Sequence, residues 1–160
     1  MPFNQMYKQH YLTVCQLANR IVRDDEISKD ISQEVFIKLH NTLNEGKQIL
    51  NIQSWLYRVT VNHCYNHLRS IRKNDQAFDS IQIPVEEETE SQVVEKEEAQ
   101  RIRDMMFRLK EKEQLILALY SEGMSYKEMA DASGIPFSSI GNTLQRALSK
   151  LKKLCHDTKF

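Results

Sequence analysis

The sequence has few of the residues that interrupt helices: four glycines and three prolines in 160 positions. Sheet-rich folds draw heavily on Gly and Pro for their turns, so this scarcity, set beside many Leu, Ile, Lys, Glu and Gln, predicts an all-α fold with short connections. Cysteine is also scarce. Cys15, Cys64 and Cys155 are odd in number and far apart, which fits neither a disulfide framework nor a paired metal-binding motif. No run approaches the roughly 18 uncharged apolar residues of a membrane span, and the start MPFNQMYKQHYLTV lacks a basic segment followed by an apolar core. A cytoplasmic protein without direct membrane insertion is therefore expected. Glycine-rich phosphate loops, nucleophile elbows and paired catalytic carboxylates are missing too, so no catalytic residue, cofactor or small-molecule substrate is assigned.

Net charge is zero, but it is unevenly placed. Residues 1–74 carry ten Lys/Arg and six Asp/Glu, residues 75–100 one and nine, and residues 101–160 eleven and seven. Two blocks of +4 thus flank a connector of −8. Screening acts over about 8 Å at physiological salt, so each basic block presents its own field and can meet phosphate. Division follows at the same places: a helical domain over 1–73, an acidic linker over 74–100, and a second helical domain over 101–160.

Apolar periodicity fills in the elements. Tyr7, Tyr11, Cys15, Ala18 and Val22 predict one helix, and Ile27, Ile31, Val35 and Leu39 a second whose outer face is polar. Asn44-Glu45-Gly46-Lys47 is a break, and a third helix runs from Ile52 toward Arg72. Pro84 and EEETESQVVEKEEAQ carry no clear apolar stripe before Val93, although the end of this linker can already be helical. Ile102, Met105, Met106 and Leu109 resume helical spacing, and Glu113 to Tyr120 is a short helix ended by Gly123.

Ser125 to Leu148 has helix-turn-helix form. Ser125 and Glu128 predict a capping box, Ala130 offers a small surface for a crossing helix, Gly134 suits the turn, and Ile140 anchors the second helix. That second helix would present Ser138, Ser139, Asn142, Thr143, Gln145, Arg146 and Lys150 to the major groove, with Lys152 and Lys153 extending its basic end.

Two sets of motifs extend the reading to nearly the whole chain. Asp30-x-x-Gln33-Glu34-x-Phe36, Ser54-Trp55-Leu56-Tyr57-Arg58-x-x-x-Asn62 and His67-Leu68-Arg69-x-x-Arg72-Lys73 resemble the amino-terminal domain of extracytoplasmic-function sigma factors, a branch of the sigma-70 family. Leu109-x-Glu111-x-Glu113, Gly123-Met124-Ser125-Tyr126-x-Glu128-Met129-Ala130, Ser139-Ile140, Gln145-Arg146-Ala147 and Leu151 resemble their carboxy-terminal domain. The resemblance implies a sigma factor that directs core RNA polymerase to promoters and assists promoter opening. It implies that Asp30, Gln33, Glu34 and Lys38 face the polymerase clamp. Lys47, Asn51, Arg58, Asn62, His63, Asn66, Arg69, Arg72 and Lys73 would bind the opened minus-ten element, where cations hold backbone and polar groups read exposed bases. The carboxy-terminal helix would bind the minus-thirty-five element as duplex. Implied partners are core RNA polymerase, promoter DNA and an anti-sigma factor.

Two departures stand out: Asn66 occupies a position where the family often has Asp, and Ser139-Ile140-Gly141-Asn142-Thr143 lacks two cations common in the recognition helix. Trp55 is expected in the core. His63 and His67 lie four apart beside Cys64, but without a third strong ligand nearby no metal site is assigned. A stand-alone DNA-binding regulator and a protein-binding module without DNA are the alternatives; the former binds operator DNA unaided, whereas a sigma factor co-purifies with core polymerase.

Overall fold

The computed structural model describes residues 2–77 and 89–157, which form seven α-helices. The amino-terminal cluster comprises α1 (Phe3–Val22), α2 (Asp25–Asn44) and α3 (Ile52–Ala77). The carboxy-terminal cluster comprises α4 (Glu90–Phe107), α5 (Glu111–Ser121), α6 (Tyr126–Ser133) and α7 (Phe137–Asp157). The expected segment 78–88 of the linker lies outside the described residues, and α4 begins at Glu90, within the stretch read as connector.

The helices start and stop where local chemistry dictates. Asp24 accepts a hydrogen bond from the Ile27 amide at 3.1 Å, and Asp25 and Glu26 follow in the first turn of α2, where carboxylates meet the positive end of the helix dipole. Asn51 caps α3 in the same way, its Oδ1 accepting from the Ser54 amide at 3.0 Å. Ser125 supplies the hydroxyl half of the expected capping box, accepting from the Glu128 amide at 3.1 Å. Gly134 closes α6 at φ 74°, a left-handed conformation that a glycine adopts without steric cost.

In α1 the buried face is Met6, Val14, Leu17, Ala18 and Val22, turned from the expected line through Tyr7 and Tyr11. Those two rings instead stack with centroids 5.0 Å apart, and Tyr7 meets Phe36 of α2 edge-on at 4.9 Å. Ring faces and edges thereby satisfy one another at the border of the core. Polar residues inside the cluster are satisfied within their own helices: the Ser32 hydroxyl donates to the Ser28 carbonyl at 2.6 Å, and Thr60 to that of Leu56 at 2.7 Å.

In the second cluster Ile116, Leu119, Met129 and Ile140 are fully buried. Ala132 is the buried small residue of α6, with Ala130 half-buried beside it. Ile102 and Tyr120, expected on apolar faces, stay about half exposed, at 54% and 48%.

The clusters are not separate bodies. α3 packs against α5 and α6, and one continuous apolar core joins Val59, Tyr65 and Leu68 to Met106, Leu115 and Met129. Cys64 lies fully buried in that core, where desolvation pushes its thiol pKa up to about 12.

Candidate nucleic-acid interface

The expected polymerase-facing residues Asp30, Gln33, Glu34 and Lys38 are all exposed, because Ile31, Val35, Phe36 and Leu39 take the inner side of α2. Helical geometry places them along one face. Ile37 shares the outer surface at 60% exposure, an apolar residue that periodicity passed over. Glu34 reaches across to α3, its Oε2 lying 3.3 Å from His63 Nδ1.

The expected minus-ten residues divide into three groups. Lys47, Asn51 and Arg58 come together around a cavity of about 580 Å³ formed by the loop after α2 and the start of α3. Trp55 also lines it, so this ring serves both the core, against which it packs, and the cavity wall. Lys47 is hydrogen-bonded to Glu45 at 2.8 Å, which raises its pKa and keeps it cationic. Two further participants were missed. Leu50 on the loop is completely exposed, and Asp131 of α6 closes the cavity from the other cluster. An apolar residue inside a polar, aperiodic stretch was the available signal for Leu50; nothing in the sequence placed Asp131.

Asn62, His63, Asn66 and Arg69 form the second group, around a cavity of about 380 Å³ at the seam between clusters. Arg69 is held from both sides: Nη1 donates to Asn66 Oδ1 at 2.8 Å and Nη2 to Gln114 Oε1 at 2.8 Å, with Glu111 Oε1 3.4 Å away. Gln114 is itself fixed by donating to the Met106 carbonyl at 2.7 Å. Arg72 and Lys73 make up the third group at the exposed end of α3, where the Arg72 guanidinium lies over the Phe107 ring at 5.0 Å. A second tie crosses the seam from Arg20, which donates through Nε to Glu122 Oε1 at 2.9 Å and through Nη2 to the other carboxylate oxygen. Such bidentate pairing fixes orientation as well as distance.

On α7 the core takes Ile140, Leu144 and Ala147. Ser138, Asn142, Gln145 and Arg146 are exposed as expected, while Ser139 and Thr143 are half-buried, the Thr143 hydroxyl donating to the Ser139 carbonyl at 2.8 Å. Lys150 is engaged within the cluster, bonded to Glu113 Oε1 at 2.7 Å. Burial pushes the Glu113 carboxyl pKa up, but the Lys150 bond, the Lys110 amide and both lysine charges outweigh it and leave the pKa lowered. Among the described residues there is no group of three or more potential metal ligands, and no helix is long and apolar enough to cross a membrane.

Two family models match this chain: sigma-70 region 2 over residues 6–74 and sigma-70 region 4 over residues 99–151. The sequence is similar to the RNA polymerase sigma factors YlaC and SigZ of Bacillus subtilis. YlaC is 26% identical over 157 residues, covering 92% of this chain and 88% of that protein, and SigZ is 29% identical over 165 residues, covering 98% and 90%. The fold is similar to that of CnrH in its complex with the cytosolic domain of CnrY, at TM-score 0.64 and 18% identity over 98% of this chain and 89% of that one. It is also similar to the sigma factor RpoE in complex with the anti-sigma factor NepR from Bartonella quintana, at TM-score 0.57 and 18% identity over 98% of each chain.

Sigma-70 regions 2 and 4, matched in that order over most of the chain, define a promoter-specificity subunit, and the chain belongs to the sigma-70 family of RNA polymerase sigma factors, in its extracytoplasmic-function branch. It directs RNA polymerase to promoters and is not itself an enzyme.

Proposed function

We propose the following division of labour on the molecule. The outer face of α2, through Asp30, Gln33, Glu34 and Lys38, docks on core polymerase. Lys47, Asn51 and Arg58, with Leu50, hold the separated non-template strand at the minus-ten element and so assist opening. Asn62, His63, Asn66, Arg69, Arg72 and Lys73 continue that track along α3. The exposed side of α7, through Ser138, Asn142, Gln145 and Arg146, reads the minus-thirty-five duplex; Ser139, Thr143 and Lys150 complete its surface once local bonds rearrange. The protein works in the cytoplasm, and an anti-sigma factor is a natural partner for a chain whose fold is similar to that of the sigma factor RpoE in its complex with the anti-sigma factor NepR.

The gathering of Lys47, Asn51 and Arg58 around one cavity supports this reading most directly. Two cations and an amide around a hollow of nucleotide size suit an unstacked base on its charged backbone. Reconstitution with core polymerase and genome-wide mapping of transcript starts tests it: starts should share upstream elements at minus-thirty-five and minus-ten spacing. A chain that leaves core polymerase unprogrammed while binding DNA unaided would instead be a stand-alone regulator.

A further inference from the structure

A cleft of about 570 Å³ lies where the end of α1, the middle of α3 and α4 meet, apart from the loop cavity and the outer face of α7. His67 and Arg103 are among the residues lining it, and each carries a buried nitrogen, His67 Nε2 and Arg103 Nε, without a hydrogen-bond partner among the described residues. A buried polar group without a partner is costly, and two in one cleft indicate a common function for them. Arg23 and Arg72 line the same cleft. Stacking on Phe107 occupies the face of the Arg72 guanidinium and leaves its in-plane N–H edge for another acceptor. Arg23 is the left-handed C-cap of α1, at φ 54°, its amide donating to the Asn19 carbonyl at 2.8 Å, so the end of that helix fixes its backbone beside the cleft. Asp24 is the carboxylate among the lining residues, and its Oδ1 already serves the Ile27 amide.

Three guanidinium groups and an imidazole offer more donors than one carboxylate can accept, whereas a phosphate or pyrophosphate group has oxygens enough. Arg23 and Arg103 also line an adjoining cleft of about 680 Å³, whose walls include Ile21, Ile102, Tyr120 and Leu148. This explains the placement of Ile102 and Tyr120 on the surface: they form an apolar and aromatic wall next to a cationic junction. Glu122 in that wall is paired with Arg20. Glu95 and Glu97 line a third cleft beyond the same arginines.

We infer that this junction binds a phosphorylated organic molecule of nucleotide size, its phosphates on Arg23, His67, Arg72 and Arg103 and its organic part in the adjoining apolar cleft. The site draws on both clusters, so its ligand stabilises their packed arrangement. It involves no chemical step, and it stands whether or not the assignments to polymerase and promoter hold.

Isothermal titration of the full chain with inorganic pyrophosphate and with ATP, in the absence of polymerase and DNA, tests the site. Both should bind and raise the melting temperature, ATP more tightly because it also fills the apolar cleft. Arg103→Met, which keeps the aliphatic stem, should weaken both at least about tenfold, the scale expected for a lost charge-assisted bond. Should that variant fail to fold, Arg23→Asn tests the same point, since Asn tolerates the left-handed backbone and Arg23 is exposed. Lys8→Met, on the exposed side of α1, should leave both affinities unchanged. Absence of binding up to about 1 mM, or equal losses in Lys8→Met and Arg103→Met, would overturn the inference.

Discussion

α3 and α7 each turn an apolar side to a core and a polar, cationic side outward, yet the two polar sides differ in accessibility. Ser138, Asn142, Gln145 and Arg146 on α7 stand open. On α3, Asn62, Asn66 and Arg72 are also exposed, but Arg69 is held by Gln114 and Glu111 of α5 and Arg72 is set against Phe107 at the end of α4. Residue type alone makes both helices good partners for DNA, and the packed arrangement leaves Arg146 of α7 open while it engages Arg69 of α3. The difference teaches that composition of a face and availability of a face are separate properties, the second decided by residues distant in sequence.

The largest expected effect tests whether the continuous core couples the two helices. Leu56 is 1% exposed, and Leu56→Ala should cost about 2–5 kcal/mol through lost burial and the cavity left behind. If the clusters unfold together, Trp55 fluorescence and far-UV circular dichroism should shift to lower temperature with coincident midpoints. A separate, unshifted helical transition would show that the carboxy-terminal cluster stands alone. Next, Arg146→Glu should weaken binding of a minus-thirty-five duplex by about 1–3 kcal/mol, read by fluorescence anisotropy, with core polymerase affinity unchanged. Parallel loss of polymerase binding would show that the open face of α7 serves more than DNA.

The engaged arginines at the seam have their own test. Reversing Glu111 and Glu122 to Arg sets like charges against Arg69 and Arg20, and single-stranded minus-ten DNA should then bind the isolated chain about tenfold more tightly at low salt, with a steeper salt dependence. Unchanged affinity would mean that Arg69 is accessible despite its bonds. A smaller change is expected on α2, where Gln33→Ala with Glu34→Ala should reduce core polymerase affinity several-fold while the melting temperature stays within about 1 °C, as for surface sites. The smallest concerns Gly141. A Cβ there would meet only Tyr126 Cε2, at 3.6 Å, an ordinary contact, so Gly141→Ala should stabilise the chain by up to about 1 kcal/mol through helix propensity.

Much of this arrangement was legible because it depends on short-range pattern. Asp24 and Ser125 announce helix starts, Gly134 a turn, and Ile140, Leu144 and Ala147 a buried stripe, each through chemistry contained within a few residues. Where aromatic rings or cluster borders intervened, periodicity misled: Tyr7 gained its contacts from Tyr11 and Phe36 at the rim, while Met6 went inside. Ile102 and Tyr120 fit an apolar spacing and yet lie half exposed, because spacing records the face of a helix and not what covers it. The candidate site was legible as residue types and illegible as groups. No local signal could tell that Arg58 would share a cavity with Asp131, or that Arg69 would meet Gln114, 45 positions away.

The buried thiol of Cys64 gives the molecule an internal clock. At neutral pH a group with a pKa of about 12 holds almost no thiolate, and its position shields the little there is from reagent. Alkylation at that one position must therefore wait for the helix that carries Arg69 to come away from its neighbours. Cys15 and Cys155 are half-buried and should label first, leaving the slow modification of Cys64, followed peptide by peptide, to report how often the chain opens. Polymerase, DNA or any ligand that favours one arrangement would then register as a faster or slower clock, without a fluorophore or a substitution.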